Sequence, residues 1–488
     1  MVQAEKIDLT SLATQAMMEK GFIPNFPVNV QKEIATIQAP SIPIKEIDAR
    51  DMRHLLWFSI DNDDSRDLDQ LTYAETLPDG KSKIYVAVAL VDLLVKKGDA
   101  IDHRAANNTT SVYTPTKIFP MLPEMLSTDL TSLNPDQDRL AMIFESNFVN
   151  NTCSVEEGSI YLAYVHNYAQ LAYNSVSAWL DGNAPIPPAA AKVPGLQEQI
   201  HVQDKIAQQL AACREQHGSL TLEPIDPKPI MADGVPVAII ETKKTRAGML
   251  IENFMIVANT VSARYSQSHK ILSLRRVIDT PKRWDKIVEI ARQHNFKLSD
   301  SPDPIALEKF LTTQKQANPL TFPDLSLLVI KLLGRGEYRM AVPGQSMPGH
   351  FGLALHDYSH STAPNRRYPD LITQRLLLAS IAKQPSPYTT GELSKLADHC
   401  TEKEDDAEKV ERRMRKSAAA MILSTQIGKQ FDGVITGAGS SGTWVRVLNP
   451  PVEGKIVKGA ENLDVGDRVS VKLIHTDIYS GFIDFVKA

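Results

Sequence analysis

The fold class predicted by this sequence is a mixed α/β core, preceded by a short helical segment and followed by a small all-β barrel. Three observations predict it. Strand-like apolar runs begin at Leu55, and from Gly248 onward long helical patterns take over. The tail alternates short β-rich runs with glycine turns, the rhythm of a five-stranded barrel. The first fifty residues hold two helical patterns too short for a barrel of their own. The boundaries implied are 1–50 for the helical segment, 51–427 for the α/β core and 428–488 for the barrel.

Each element has a local reason. Helices are expected over 8–20 and 28–37, separated by Phe22 to Pro27, whose prolines break the pattern. Leu55 to Ile60 reads as a strand, an acidic loop follows, and a hairpin turns at Pro78-Asp79-Gly80 and returns over Lys83 to Val91. A helix is expected from Val165 to Trp179. Residues 184–194 read as a loop because they hold four prolines. Further helices are expected over Leu196–Gln216, Gly248–Ser268, Lys282–His294, Tyr368–Lys383 and Glu392–Ile427, and barrel strands over Phe431–Thr436, Thr443–Leu448, Arg468–Ile474 and Gly481–Val486.

Composition narrows the class. Of 488 residues, 43% are hydrophobic and 23% charged, as in ordinary globular proteins. The longest apolar stretch, Tyr85 to Val95, contains Asp92 and is too short for a bilayer, and Met1 to Gly21 lacks the continuous apolar run of a signal peptide, so no membrane partner is expected. Cys153, Cys213 and Cys400 have neither zinc-ligand spacing nor the look of a disulfide framework. They are expected as small buried hydrophobes in a reducing cytoplasm. The net charge of −5 argues against indiscriminate nucleic-acid binding. Yet ten Lys or Arg fall between Lys243 and Lys286, and a second basic cluster spans Arg412 to Lys416.

The most informative segment is Ile60-Asp61-Asn62-Asp63-Asp64-Ser65-Arg66-Asp67-Leu68-Asp69-Gln70, with five carboxylates in nine residues. So many like charges repel unless cations or donors neutralise them. A merely solvated turn fits poorly between apolar strands. A calcium loop of the EF-hand type fails, because its sixth position is Arg66 instead of glycine and its twelfth is Thr72 instead of glutamate. A magnesium site for phosphodiester hydrolysis suits hard oxygen donors gathered in one tight loop.

That loop resembles the catalytic signature I-D-x-x-D-[AS]-x-D-[LF]-D of the ribonuclease II (RNB) family. The resemblance places Asp61, Asp67 and Asp69 at three of four metal-binding aspartates and Gln70 at the fourth, where a neutral carbonyl lowers the site charge by one unit. Asp63 or Asp64 could compensate, or only cap the loop. A second segment, His350 to Leu371, resembles H-F-x-L-x-L-x-x-Y-x-x-F-T-[SA]-P-I-R-R-Y-x-D-L, and puts Arg366 against the scissile phosphate; it departs at Ser361, Asn365 and the following Gln374. A guanidinium fork can bind two phosphate oxygens, although an ion pair with Asp370 is the structural alternative.

The resemblance extends further. Arg246 to Asn259 is similar to the helix whose glutamate, here Glu252, approaches the terminal sugar, although Glu252 could serve helix packing alone. Tyr173 falls near the leaving nucleotide, and Tyr113 on a base, where stacking is worth roughly 1–3 kcal/mol. Either tyrosine could be core instead. A further clamp phenylalanine of the family falls on Leu222. The tail resembles the S1 type of OB fold, with Trp444 either stacking on RNA or filling the barrel; seven basic and seven acidic residues from Lys429 to Ala488 make it no electrostatic magnet.

The resemblance therefore implies a monomeric cytoplasmic exoribonuclease with its acidic loop at the bottom of a channel. It would hydrolyse single-stranded RNA from the 3′ end to nucleoside 5′-monophosphates, using magnesium, or manganese in its place, and no nucleotide cofactor. Two alternatives stay open: an RNA-binding regulator on the same scaffold with a decayed metal site, motivated by Gln70, and an endonuclease or small-molecule phosphodiesterase using the same metals.

Overall fold

A computed structural model of the chain describes residues 7–38, 48–149, 152–439 and 442–488. Helix Leu9–Glu19 begins where the Asp8 carboxylate accepts the amides of Thr10 and Ser11. It lays Leu12, Ala16 and Met17 against Val410 and Met414 of the long helix Thr390–Ser424. Helix Val28–Ile34 stops three residues before the expected end.

Seven strands form the central sheet. Strand Trp57–Asp61 leads into the acidic loop, and Gln70–Thr76 leaves it to pair antiparallel with Lys81–Ala89, which pairs with Asp138–Val149. Strand Ser159–Ala172 closes the ring. Its first half runs antiparallel to Asp138–Val149 and its second half parallel to Trp57–Asp61. One sheet face packs Phe58, Ile84, Val86 and Phe144 under helices Leu196–Gln216 and Arg246–Ser268; the other packs Trp57, Leu71, Ala87 and Ile143.

The structure corrects the sequence expectations at several points. Val165 to Ala172 is strand, and only Tyr173–Leu180 is helix. Val165, Asn167, Ala169 and Leu171 are buried in alternation, a period of two that the following helix obscured. The proline-rich loop contains one helical turn, Pro188–Ala191, because a proline at a first helical position lacks only an amide that would have had no partner. Helices Pro304–Ala317 and Phe322–Leu333 and the hairpin Asp226–Ala232/Val235–Thr242 add to the expected set.

The cysteines are also corrected. Cys153 and Cys213 form a disulfide, with Cα atoms 5.3 Å apart, tying the turn after Asp138–Val149 to helix Leu196–Gln216. Only Cys400 is a free buried thiol. Sixty residues separate the partners, and only the fold brings them together, so scattered positions gave no ground for reading a reducing environment.

Five strands, Gln430–Gly439, Gly442–Val447, Val452–Lys458, Arg468–Asp477 and Phe482–Lys487, close into the expected barrel. Val445, Val447, Val471, Leu473 and Phe485 fill it, and Ala419, Ala420 and Leu423 of the long helix pack against it. Arg446 faces outward and binds Asp324 through two hydrogen bonds of 2.9 and 2.7 Å, both residues being buried.

Two expectations follow. Arg446→Ala strands the Asp324 carboxylate between barrel and core, a loss of about 3–5 kcal/mol for a broken buried pair. Its melting temperature should fall and trypsin should cut near Lys429; an unchanged melt and digest would show that the pair does not hold the barrel. Denatured without reductant, the chain should react with one equivalent of a thiol reagent and with three after reduction; three equivalents in both conditions would remove the disulfide.

Candidate active site

The acidic loop is fixed at both ends by strands. Asp61 is the last residue of its strand and aligns with Ala172, so Tyr173 begins its helix beside it. The Asp61 Oδ1 accepts its neighbour's amide at 2.8 Å and the Ser65 hydroxyl at 2.9 Å. Ser65 is held in turn by Gln170, while Asn174 reaches Asp63 at 2.8 Å. At the far end, Leu68 donates to the Ser132 hydroxyl and the Asp69 carbonyl accepts from Ala89, which buries Asp69 to 2% exposure.

At Asp69 the two signatures meet. Its Oδ1 accepts the Asn365 amide at 3.0 Å, and its Oδ2 lies 3.3 Å from Arg366 Nε without completing a hydrogen bond. Arg366 itself is 40% exposed, so a buried carboxylate backs a guanidinium that solvent and ligands can reach. Gln70 donates its amide to the Thr362 carbonyl, a second tie between the loop and the arginine segment. Asn365 is pinned from below, accepting from the Thr131 hydroxyl at 2.6 Å.

The electrostatics match this geometry. Burial pushes the Asp69 carboxyl up to about 7, with Arg366 opposing and Asp67 adding repulsion. Burial also raises Asp67, with Arg366 opposing and Asp61 adding to the rise. The Tyr173 hydroxyl holds its proton above the usual phenol range because of burial and the charge of Asp61. Tyr113 behaves likewise through burial, Arg366 opposing and Asp67 and Asp69 adding, although the residue as a whole is 40% exposed. Asp61, Asp67, Asp69, Arg366, Tyr113 and Tyr173 thus share one electrostatic neighbourhood.

Other expected residues stand elsewhere. Arg366 is not paired with Asp370; that carboxylate takes Arg367 at 2.8 Å and the Ala363 amide at 2.8 Å, which shapes the turn carrying Arg366. Glu252 is partly exposed and faces Lys244 at 3.2 Å, whereas apolar neighbours in sequence implied burial. Leu222 packs against the cluster around Phe310 and Phe322. Trp444 lies on the outer face of the barrel with the Lys455 ammonium 5.9 Å above its ring, so it does not fill the core. Sequence reading missed the supports. Thr131 and Ser132 hold Asn365 and Leu68, and Glu411 accepts the Tyr113 amide at 2.9 Å across 298 positions, a separation no local signal reveals.

The donor set suits a hard divalent cation. A buried carboxylate oxygen, Asp69 Oδ2, lacks a hydrogen-bond partner; Asp67 repels Asp69, and Asp61 in turn repels Asp67. Among the described residues no three His, Cys, Asp or Glu side chains converge closely enough to hold an ion by themselves. Gln70 adds only a neutral amide oxygen.

Residues 49–383 match the RNB domain and residues 429–488 the RNase II-type exonuclease C-terminal S1 domain. The chain belongs to the RNB-domain family. It is similar to a ribonuclease R of Vibrio cholerae, 30% identical over 463 residues, covering 91% of this chain and 55% of the relative. A ribonuclease R of Aquifex aeolicus is also 30% identical, over 91% of this chain and 63% of its own length. The chain thus spans little more than half the length of these curated relatives. In fold it resembles Mycoplasma genitalium RNase R in complex with ribose-methylated single-stranded RNA (TM-score 0.87, 24% identity, 99% of this chain and 78% of that one). It also resembles yeast Ssd1, described as a pseudonuclease (TM-score 0.72, 16% identity, 95% and 57%).

Because Asp69 is an incompletely satisfied buried charge, Asp69→Asn should raise the stability of the chelator-treated protein by on the order of 1–2 kcal/mol. Thermal melts in a chelating buffer read this directly. A variant less stable than the parent would mean that Arg366 and Asn365 already satisfy the carboxylate.

Proposed function

We infer that this chain is a metal-dependent exoribonuclease of the cytoplasm that shortens single-stranded RNA from its 3′ end and releases nucleoside 5′-monophosphates. The observation that carries the reading is the reachable Arg366 guanidinium set against buried Asp69, with Asp61, Asp67, Tyr113 and Tyr173 around it. The names of the relatives, ribonuclease R, support it.

Asp61, Asp67 and Asp69 would hold magnesium or manganese, with the Gln70 amide oxygen as an additional donor. When bound, the cation supplies Lewis-acid polarisation of a phosphate oxygen and a more acidic water. The chain's own groups set the geometry. Arg366 binds two phosphate oxygens with its fork and steadies charge as it grows. The protonated Tyr173 hydroxyl donates to the terminal nucleotide beside Asp61, Tyr113 stacks on a base, and Glu252 accepts from a terminal ribose hydroxyl once Lys244 releases it. Water attacks phosphorus and gives up a proton as the bond to the neighbouring 3′ oxygen breaks; that oxygen takes up a proton to become a 3′ hydroxyl, so the phosphate stays on the released nucleotide as a 5′ ester.

A second reading, an RNA-binding regulator, is favoured by Gln70, whose amide is engaged with Thr362, and by the sharing of this fold with a pseudonuclease. A 5′-labelled oligoribonucleotide incubated with magnesium separates the two. We expect progressive shortening from the 3′ end, a loss of about 10²–10³-fold in rate for Arg366→Ala, abolition in Asp69→Asn, and a gain in Gln70→Asp. A gel shift without shortening would favour the regulator, and cleavage of a circular RNA would favour an endonuclease.

A further inference from the structure

Residues 7–38 precede the stretch that matches the RNB domain, yet they are bonded into the framework of the site. Helix Ala100–Asn108 makes the contact. Its last residue, Asn108, is buried, and its side-chain amide pairs with both backbone groups of Ile23. Oδ1 accepts the Ile23 amide at 2.9 Å, and Nδ2 donates to the Ile23 carbonyl at 3.0 Å. One amide side chain can donate and accept at once, so it closes on a single residue as a neighbouring strand would. One turn earlier, buried Arg104 donates to the Ile23 carbonyl at 2.8 Å and to the Pro120 and Met121 carbonyls at 2.7 and 2.6 Å. Its guanidinium lies 4.2 Å from the centre of the Phe26 ring. These bonds all end on backbone carbonyls, so the cation fastens chain to chain.

From Asn108 the chain runs straight into the site. Thr109 takes a φ of +57°, a left-handed conformation that a β-branched residue adopts only where its surroundings hold it. Its carbonyl accepts the Tyr368 amide at 2.7 Å, Thr110 forms an antiparallel bridge with Arg367, and the Ser111 amide donates to the Arg366 carbonyl at 2.9 Å. Two residues on comes Tyr113, in a hairpin with Ile118–Phe119. Val112 and Phe119 of that hairpin are buried in one apolar cluster with Leu12, Met17 and Phe22 of the opening segment. The Ser111 hydroxyl accepts the Met121 amide at 2.8 Å, and Arg104 holds the carbonyl of that same residue. Arg366 and Tyr113 therefore project from one short backbone unit, and that unit is joined to the opening segment through both Asn108 and Arg104.

We propose that Asn108, with Arg104 beside it, is a positioning residue for RNA: it clips the opening segment to the backbone that aims Arg366 and Tyr113, and so makes residues 8–26 a working part of the RNA site. At 1% and 3% exposure the two side chains are too buried to touch a ligand, and they act through the Thr109 to Ser111 backbone. The inference rests on the reading of Arg366 and Tyr113 as RNA-binding groups.

Fluorescence anisotropy of a labelled 2′-O-methyl oligoribonucleotide tests it, with the chain in chelator and well below its melting temperature, so that neither cleavage nor unfolding enters. Asn108→Leu, similar in volume but without either bond, should weaken binding by roughly threefold to tenfold, the size of coupling that packed elements transmit. Arg104→Met should do the same, and Arg104→Lys, which can still donate to a carbonyl, should lose less. The Asn108→Leu loss should shrink on an Arg366→Ala or a Tyr113→Ala background, because a group that it aims is gone. Should Asn108→Leu fail to fold, Asn108→Asp, which keeps the acceptor for the Ile23 amide, replaces it with the same expectations. A purely structural Asn108 predicts a lower melting temperature with unchanged affinity, and that result overturns the proposal. Equal losses in the parent and in both backgrounds overturn it too. Absence of binding by the parent chain would overturn the RNA reading and the proposal with it, whereas the two preceding results leave that reading standing.

Discussion

A buried carboxylate can persist only where the protein supplies donors or a cation, and the junction at Asp69 is built around that requirement. One oxygen receives the Asn365 amide and the other approaches Arg366. The residues involved lie almost three hundred positions apart, so their meeting depends on everything between them. Because Asp69 is sealed and Arg366 is not, the attraction orients a solvent-facing guanidinium without consuming all of its donors.

The junction rests on a further set of buried polar contacts. Gln374 donates to the Ala89 carbonyl and accepts from the Asp92 amide, and the Ala89 amide is bonded to the Asp69 carbonyl. Gln374, a departure from the family pattern, is thus a strut under the acidic loop. Arg375, next along the same helix, joins Asp92, Asp102 and the Val95 carbonyl in the interior. Asp370 organises the turn before the helix through Ala363 and Arg367. These polar contacts are directional and buried, so they specify one arrangement of the arginine segment where apolar packing alone would tolerate several.

Gln70 and Asn365, both departures from the family pattern, fall at this same junction. Gln70 reaches the Thr362 carbonyl and Asn365 reaches Thr131. Amide side chains can donate and accept at once, which an aspartate or an isoleucine cannot do at those positions. The site therefore trades one negative charge for a hydrogen-bonded closure between its two signatures.

Sequence alone determined what depends on neighbours along the chain. Helix Leu196–Gln216 and the barrel strands follow from local periodicity and turn residues, and the dense run of aspartates marks a carboxylate-rich loop. Family resemblance carried Arg366, Tyr113 and Tyr173 to that site. Local patterns failed where a strand ran straight into a helix at Tyr173 and where Cys153 met Cys213. Tertiary structure alone decided that Asp370 serves Arg367, that Glu252 faces Lys244, and that Thr131, Gln374 and Glu411 are supports. Periodicity records which face of an element is buried, but a partner brought from hundreds of residues away is chosen only when the chain has closed around it.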